Sequence, residues 1–134
     1  MCAQYPIGYY FGMATRDITE ETFEELITDN TIVLVDFWAA WCGPCRMFAP
    51  TFAAASDKHP DIAFAKVDTE AQQGLAAAAG IRSIPTLMAF REKVLVFSQP
   101  GAMNAAALEA LITSVQNLDM DEVHRSIAAQ RASA

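Results

Sequence analysis

Ten consecutive residues, Thr31 to Ala40, carry a single charge, that of Asp36, and are otherwise rich in apolar, β-branched and aromatic side chains. A strand with one wet face alternates apolar with polar residues. This run does not alternate, so it is expected to be buried on both faces, inside a sheet covered by helices on either side. The remainder of the chain offers the strands and helices such a sheet needs. Ile62 to Val67 reads as a second buried strand, and Thr86–Phe90 and Val94–Phe97 lie so close in sequence that they must form an antiparallel hairpin. Between them come helical stretches. Thr19 is expected to cap an acidic helix with Phe23, Leu26 and Ile27 as its apolar stripe. A second helix runs from Cys42 to Lys58, with Ala53 to Ala55 suited to close packing. An alanine-rich helix opens at Thr69 or Glu70 and stops at Gly80, and Asn104 caps a last core helix bearing Leu108, Leu111, Ile112 and Val115. The order predicts an α/β fold whose sheet has parallel and antiparallel members.

A chain of 134 residues with 53% apolar content forms one domain that needs no metal or disulfide staple to fold. Nine Lys and Arg against 16 Asp and Glu leave a net charge of −7, with no basic run to offset it. Nucleic acid and anionic membranes are therefore poor partners. No stretch is long and apolar enough for a transmembrane helix. The three cysteines, Cys2, Cys42 and Cys45, argue against a disulfide-stapled secreted scaffold, and the first residues lack the charge and apolar core of a signal peptide. The expected compartment is the reducing cytoplasm. Residues 1–13 read as a loosely ordered leader, with Met13 as an alternative start and Cys2 as a free thiol. Residues 118–134 read as a helical extension, begun by Asp119 with Glu122 three residues on, which Val123 and Ile127 could lay on the domain surface.

Chemistry concentrates where the buried strand gives way to a helix, at Cys42-Gly43-Pro44-Cys45. Residues three apart in a first helical turn share a face, within reach of a disulfide. Unpaired N–H groups and the helix dipole at that end favour a thiolate on Cys42, the expected nucleophile. Cys45, one turn in, is expected to be more buried and to attack second. No His stands between the cysteines to stabilise the dithiol further, which argues for a reductant over an oxidant. A zinc site would need two more ligands, and only Cys2, His59 and His124 remain, scattered along the chain; no metal is expected. Asp36 is the other anomaly. A carboxylate inside a strand buried on both faces should have a raised pKa, which suits a proton carrier.

Trp41-Cys42-Gly43-Pro44-Cys45 following Val35-Asp36-Phe37-Trp38-Ala39 resembles the thioredoxin family. The resemblance covers residues 14–117 and includes Lys66-Val67-Asp68, the segment Gly80 to Thr86, and Gly101. It implies a thioredoxin fold with a central sheet of about five strands, and a protein disulfide reductase without a bound cofactor. It also implies partners: thioredoxin reductase, which passes on electrons from NADPH, and disulfide-containing client proteins, met by a monomer. Pro85 would be a cis proline facing the disulfide, with Ile84 offering backbone to a substrate strand. Trp41, Gly43, Pro44, Ile84, Pro85, Gly101 and Ala102 would form a shallow collar around Cys42. Asp36 would relay the proton of Cys45, tuned by Lys66, while Trp38 packs. The hairpin turn Arg91-Glu92-Lys93 lacks the family's usual glycine, so a looser or different turn is expected there. Pro100 and Arg46 are further departures, placed beside the groove and the cysteine pair. A thioredoxin-like oxidant or isomerase is a rival reading. A second rival makes the leader and extension a partner-binding module.

Overall fold

The computed structural model describes residues 14–133; the expectations for the leader, Met13 and Cys2 fall outside them. The elements, in order, are β1 (Thr15–Asp17), α1 (Phe23–Asp29), β2 (Ile32–Trp38), α2 (Gly43–Lys58), β3 (Ala63–Asp68), α3 (Gln73–Ala78), β4 (Thr86–Arg91), β5 (Val94–Pro100), α4 (Ala105–Gln116) and α5 (Met120–Ser133). The strand order across the sheet is β1-β3-β2-β4-β5. β1 and β2 run parallel to β3, and β4 is antiparallel to both β2 and β5. The mixed α/β sheet expected from the sequence is thus present, with β2 at its centre.

Successive side chains of a strand point to opposite faces, and β2 feeds two cores. Leu34 joins Phe64 and Leu87 against Phe48 and Phe52 of α2 and Leu108, Ile112 and Val115 of α4. Val33, Val35 and Phe37 join Ala65, Val67 and Met88 against Leu26 and Ile27 of α1. By the same alternation Asp36 lies on the α2 side, opposite Lys66 of β3.

Element boundaries differ from expectation where side chains are recruited elsewhere. Thr19 does not cap α1, which starts at Phe23 after a turn in which the Thr19 N–H donates to Thr22 Oγ1 at 2.9 Å. Glu20 serves α3 instead: its carboxylate accepts the Leu75 N–H at 3.1 Å and its own N–H donates to Gln72 Oε1 at 3.0 Å. The contact is so close that a Cβ on Gly74 would stand 2.6 Å from Glu20 Oε2. Residues 69–72 are likewise not helical. Asp68 Oδ1 accepts the N–H groups of Glu70 and Ala71, holding a turn, so α3 opens only at Gln73. β1 carries no signal in the sequence, being three residues with neither apolar character nor alternation, held by backbone pairing to β3.

The hairpin turn is tight, not loose. Glu92 and Lys93 form a two-residue connection with φ of 51° and 70°, the left-handed backbone that right-twisted strands favour and glycine usually supplies. Arg91 stabilises the far end of α4: Nη1 donates to the carbonyls of Val115, Gln116 and Leu118 at 2.8, 3.0 and 3.0 Å. α5 then starts as expected, with the Glu122 N–H donating to Asp119 Oδ1 at 3.2 Å. Met120 is buried, Val123 and Ile127 are half-buried, and His124 Nε2 lies 2.9 Å from Glu92 Oε1. The extension is a helix laid on the domain.

A non-glycine residue held at positive φ costs about 1 kcal/mol relative to glycine. Lys93→Gly is expected to raise stability by about 1 kcal/mol, less glycine's greater unfolded-state freedom, read as a higher urea midpoint at unchanged m-value.

Candidate active site

β2 ends at Trp38, and the Cys42 N–H returns to the Ala39 carbonyl at 3.2 Å, turning the chain directly into α2. Cys42 is the N-cap of that helix, in extended conformation (φ −87°, ψ 114°), and its sulfur accepts the Cys45 N–H at 3.2 Å. A sulfur used as a helix cap sits at the positive end of the dipole, among amides without helical partners. Pro44 fits the first turn because a residue there has no helical acceptor for an N–H. Cys42 and Cys45 are joined as a disulfide, with Cα atoms 5.2 Å apart.

The two sulfurs lie in a small cluster of their own. Ala39, Cys42 and Cys45 are buried, with Trp38 and Ile84 packed against them. Cys42 retains 4% exposure and Cys45 2%, so the expected difference in burial is present but narrow in the disulfide state. Cys42 Sγ is 3.7 Å from the Ile84 carbonyl oxygen, and the Ile84–Pro85 bond is cis. The Pro85 carbonyl accepts the Gly101 N–H at 2.8 Å, which sets the loop carrying Gly101 (φ 104°) and Ala102 beside it. Of the expected collar, Trp41, Pro44, Gly101 and Ala102 are exposed and Gly43 and Ile84 half-buried. Pro85 is buried. Trp41 has a partner the sequence did not suggest: its indole N–H donates to Glu70 Oε2 at 3.3 Å, across 29 residues. Arg46 turns back, donating from Nη1 to the Ala40 carbonyl at 2.9 Å.

Asp36 is 1% exposed, and neither carboxylate oxygen has a hydrogen-bond partner. Burial pushes its carboxyl up to about 7, against the opposing pull of Lys66. Lys66 Nζ sits over the Trp38 ring, 4.9 Å from its centroid. Ring and ammonium attract there without neutralising Asp36. The Trp38 indole N–H is a further buried group without a partner. His59 and His124 are engaged elsewhere, with Glu109 and Glu92, and His59 is half-buried, not on the surface. Among the described residues no three His, Cys, Asp or Glu side chains gather to hold a metal ion. No helix among them is long and apolar enough to cross a membrane.

A redox-active cysteine pair at the N-terminus of a helix, beside a cis proline and following a strand that buries an acid, defines a thiol–disulfide oxidoreductase. The family model for thioredoxin matches residues 14–114. A relative from Streptomyces coelicolor that carries a thioredoxin name is 54% identical over 121 residues, 90% of each chain. Thioredoxin C-3 of Corynebacterium nephridii is 42% identical over 69% of this chain and 65% of its own. Among solved structures, a mutant thioredoxin from Halobacterium salinarum superposes with a TM-score of 0.73 at 35% identity, covering 78% of this chain and 92% of that one. The chain belongs to the thioredoxin family and is a protein disulfide reductase whose redox group is the Cys42–Cys45 pair itself. Thioredoxins exchange electrons with thioredoxin reductase on one side and protein disulfides on the other.

The raised pKa of Asp36 has a signed consequence. Between pH 4 and 7 the folded chain keeps a proton that the unfolded chain releases, so stability falls as pH rises through that window. A shift of about three units corresponds to about 4 kcal/mol. Asp36→Ala is therefore expected to stabilise the fold at pH 8 by about 3 kcal/mol after the loss of packing. Below pH 4 only the packing loss should remain, leaving the variant about 1 kcal/mol less stable, and urea unfolding at the two pH values measures both.

Proposed function

We propose that the chain acts as a cytoplasmic, monomeric thioredoxin in which Cys42 attacks and Cys45 resolves. The observation that carries this reading is the disulfide held at the N-cap of α2. Thioredoxin reductase, drawing on NADPH, delivers two electrons and two protons and opens the pair to a dithiol. The Cys42 thiolate, stabilised by the helix terminus, then attacks one sulfur of a client disulfide; the client's other sulfur leaves as a thiolate. Asp36 takes the proton from Cys45, by way of the α2 side of the sheet it shares with Lys66, which tunes it. The Cys45 thiolate attacks Cys42 Sγ, the second client thiolate leaves, and the Cys42–Cys45 bond forms again. Trp41, Gly43, Pro44, Ile84, Pro85, Gly101 and Ala102 bear the client chain. Residues 14–117 form the catalytic domain and 118–134 its extension.

A second reading draws on α5, whose outer face is exposed along fourteen residues. In it the extension docks a partner and redox activity is secondary. Removing residues 119–134 separates the two, since loss of a partner at unchanged reductase activity supports the second.

Insulin reduction with reductase and NADPH tests the first. Cys42→Ser is expected to abolish activity. Cys45→Ser should accumulate mixed disulfides detectable by mass. Asp36→Ala should slow turnover by about tenfold near pH 7 and less at higher pH, where hydroxide takes the Cys45 proton. Full activity in Cys42→Ser would overturn the assignment of the attacking sulfur.

A further inference from the structure

Among the described residues three large apolar side chains stand out in solvent: Trp41 at 68%, Met47 at 77% and Leu95 at 46%. Leu95 is on β5, away from the others in sequence. Trp41 belongs to the collar already described; Met47 does not. Met47 lies one turn of α2 beyond Gly43, and its face of the helix continues through Pro50, Thr51, Ala54 and Lys58, since residues three and four apart stack along a helix. That stripe is one wall of a groove of about 260 Å³, and α4 forms the other with Ala105, Leu108 and Glu109. Its lining is largely apolar, and the two charges on it, Lys58 and Glu109, are of opposite sign.

We propose that this groove is a subsite for the client polypeptide, taking one apolar side chain near the cysteine that Cys42 attacks, with Met47 bridging disulfide and groove. The stripe leads back along one helix face to Gly43, which stands between the two cysteines, and the client is the molecule the reaction must hold at Cys42. The groove is smaller than the roughly 300–1,000 Å³ that encloses a small molecule, and it suits a single leucine or phenylalanine. Ala54 lies twelve residues along α2 from Cys42, about 18 Å at 1.5 Å per residue. An extended chain covers that distance in about five residues. The preferred client therefore carries an apolar side chain about five positions from its cystine.

The inference rests on attack by Cys42, and the test keeps the two apart. The probes are two disulfide peptides, alike except for Leu or Ser five residues outside each cystine half, and the small aromatic disulfide DTNB, which does not reach the groove. With the full chain, reductase and NADPH, KM for the Leu peptide is expected to be about tenfold below that for the Ser peptide, at similar kcat. Ala54→Glu, which charges the groove, and Ala54→Leu, which fills it, should each remove that advantage. Both should reduce the Ser peptide, and DTNB from the pre-reduced state, as the native chain does. Equal KM values for the two peptides in the native chain overturn the subsite. So does an Ala54 variant that keeps the preference, or one that loses activity on all three probes alike. A raised KM for the reductase alone would give the groove to that enzyme, and a dimer broken by Ala54→Glu would give it to a second copy; either overturns the client reading. Failure of the native chain on DTNB would instead sink attack by Cys42.

Discussion

The double burial of β2 is the constraint on which the rest of the structure hangs. A strand without a wet face has to occupy the middle of a sheet, and the sheet has to be covered on both sides. Phe48, Phe52 and Ile112 cover one side, and Leu26, Ile27 and Val67 belong to the cluster on the other. Because α2 both continues from β2 and packs back on it, its first turn is fixed against the sheet. The disulfide is thereby placed at a rigid edge, where helix amides face outward and no loop has to find its conformation.

Asp36 is where, on the proposed mechanism, stability is given up for chemistry. Every neighbour of similar burial on β2 is apolar, and the carboxyl has no hydrogen bond to offset its loss of water. Lys66 shares its register position on β3, but its ammonium lies over the Trp38 ring and its pull does not offset the burial. An acid left this way is protonated or ionised with nearly equal ease at neutral pH, as a group that moves a proton in each cycle requires.

Much of this was legible in the chain because it depended on neighbours in sequence. Strand burial, the cap at Asn104 and the cysteine spacing are local patterns, and the structure places all three as the patterns imply. The misses share a cause. Thr19 fails as a cap because Glu20 is drawn to the start of α3, and α3 starts late because Asp68 holds the turn before it. β1 has no side-chain signal, being stabilised through backbone groups that every residue carries. Glu70 reaches Trp41 only through the fold, and the Met47 stripe becomes a groove only once α4 lies beside it. Nothing in a local window encodes such meetings.

The Arg91 guanidinium, which gathers three carbonyls at the end of α4, also decides which way the molecule can be held. Ile32 pairs with Arg91 at one end of β2, while the cysteines follow from its other end. The chain after α4 therefore departs from the pole opposite the sulfurs, and His124 keeps it there by its contact with Glu92. A surface anchor, a reporter or a second domain joined in place of α5, directly after Leu118, would leave the reactive pole pointing outward, unobstructed by its own tether.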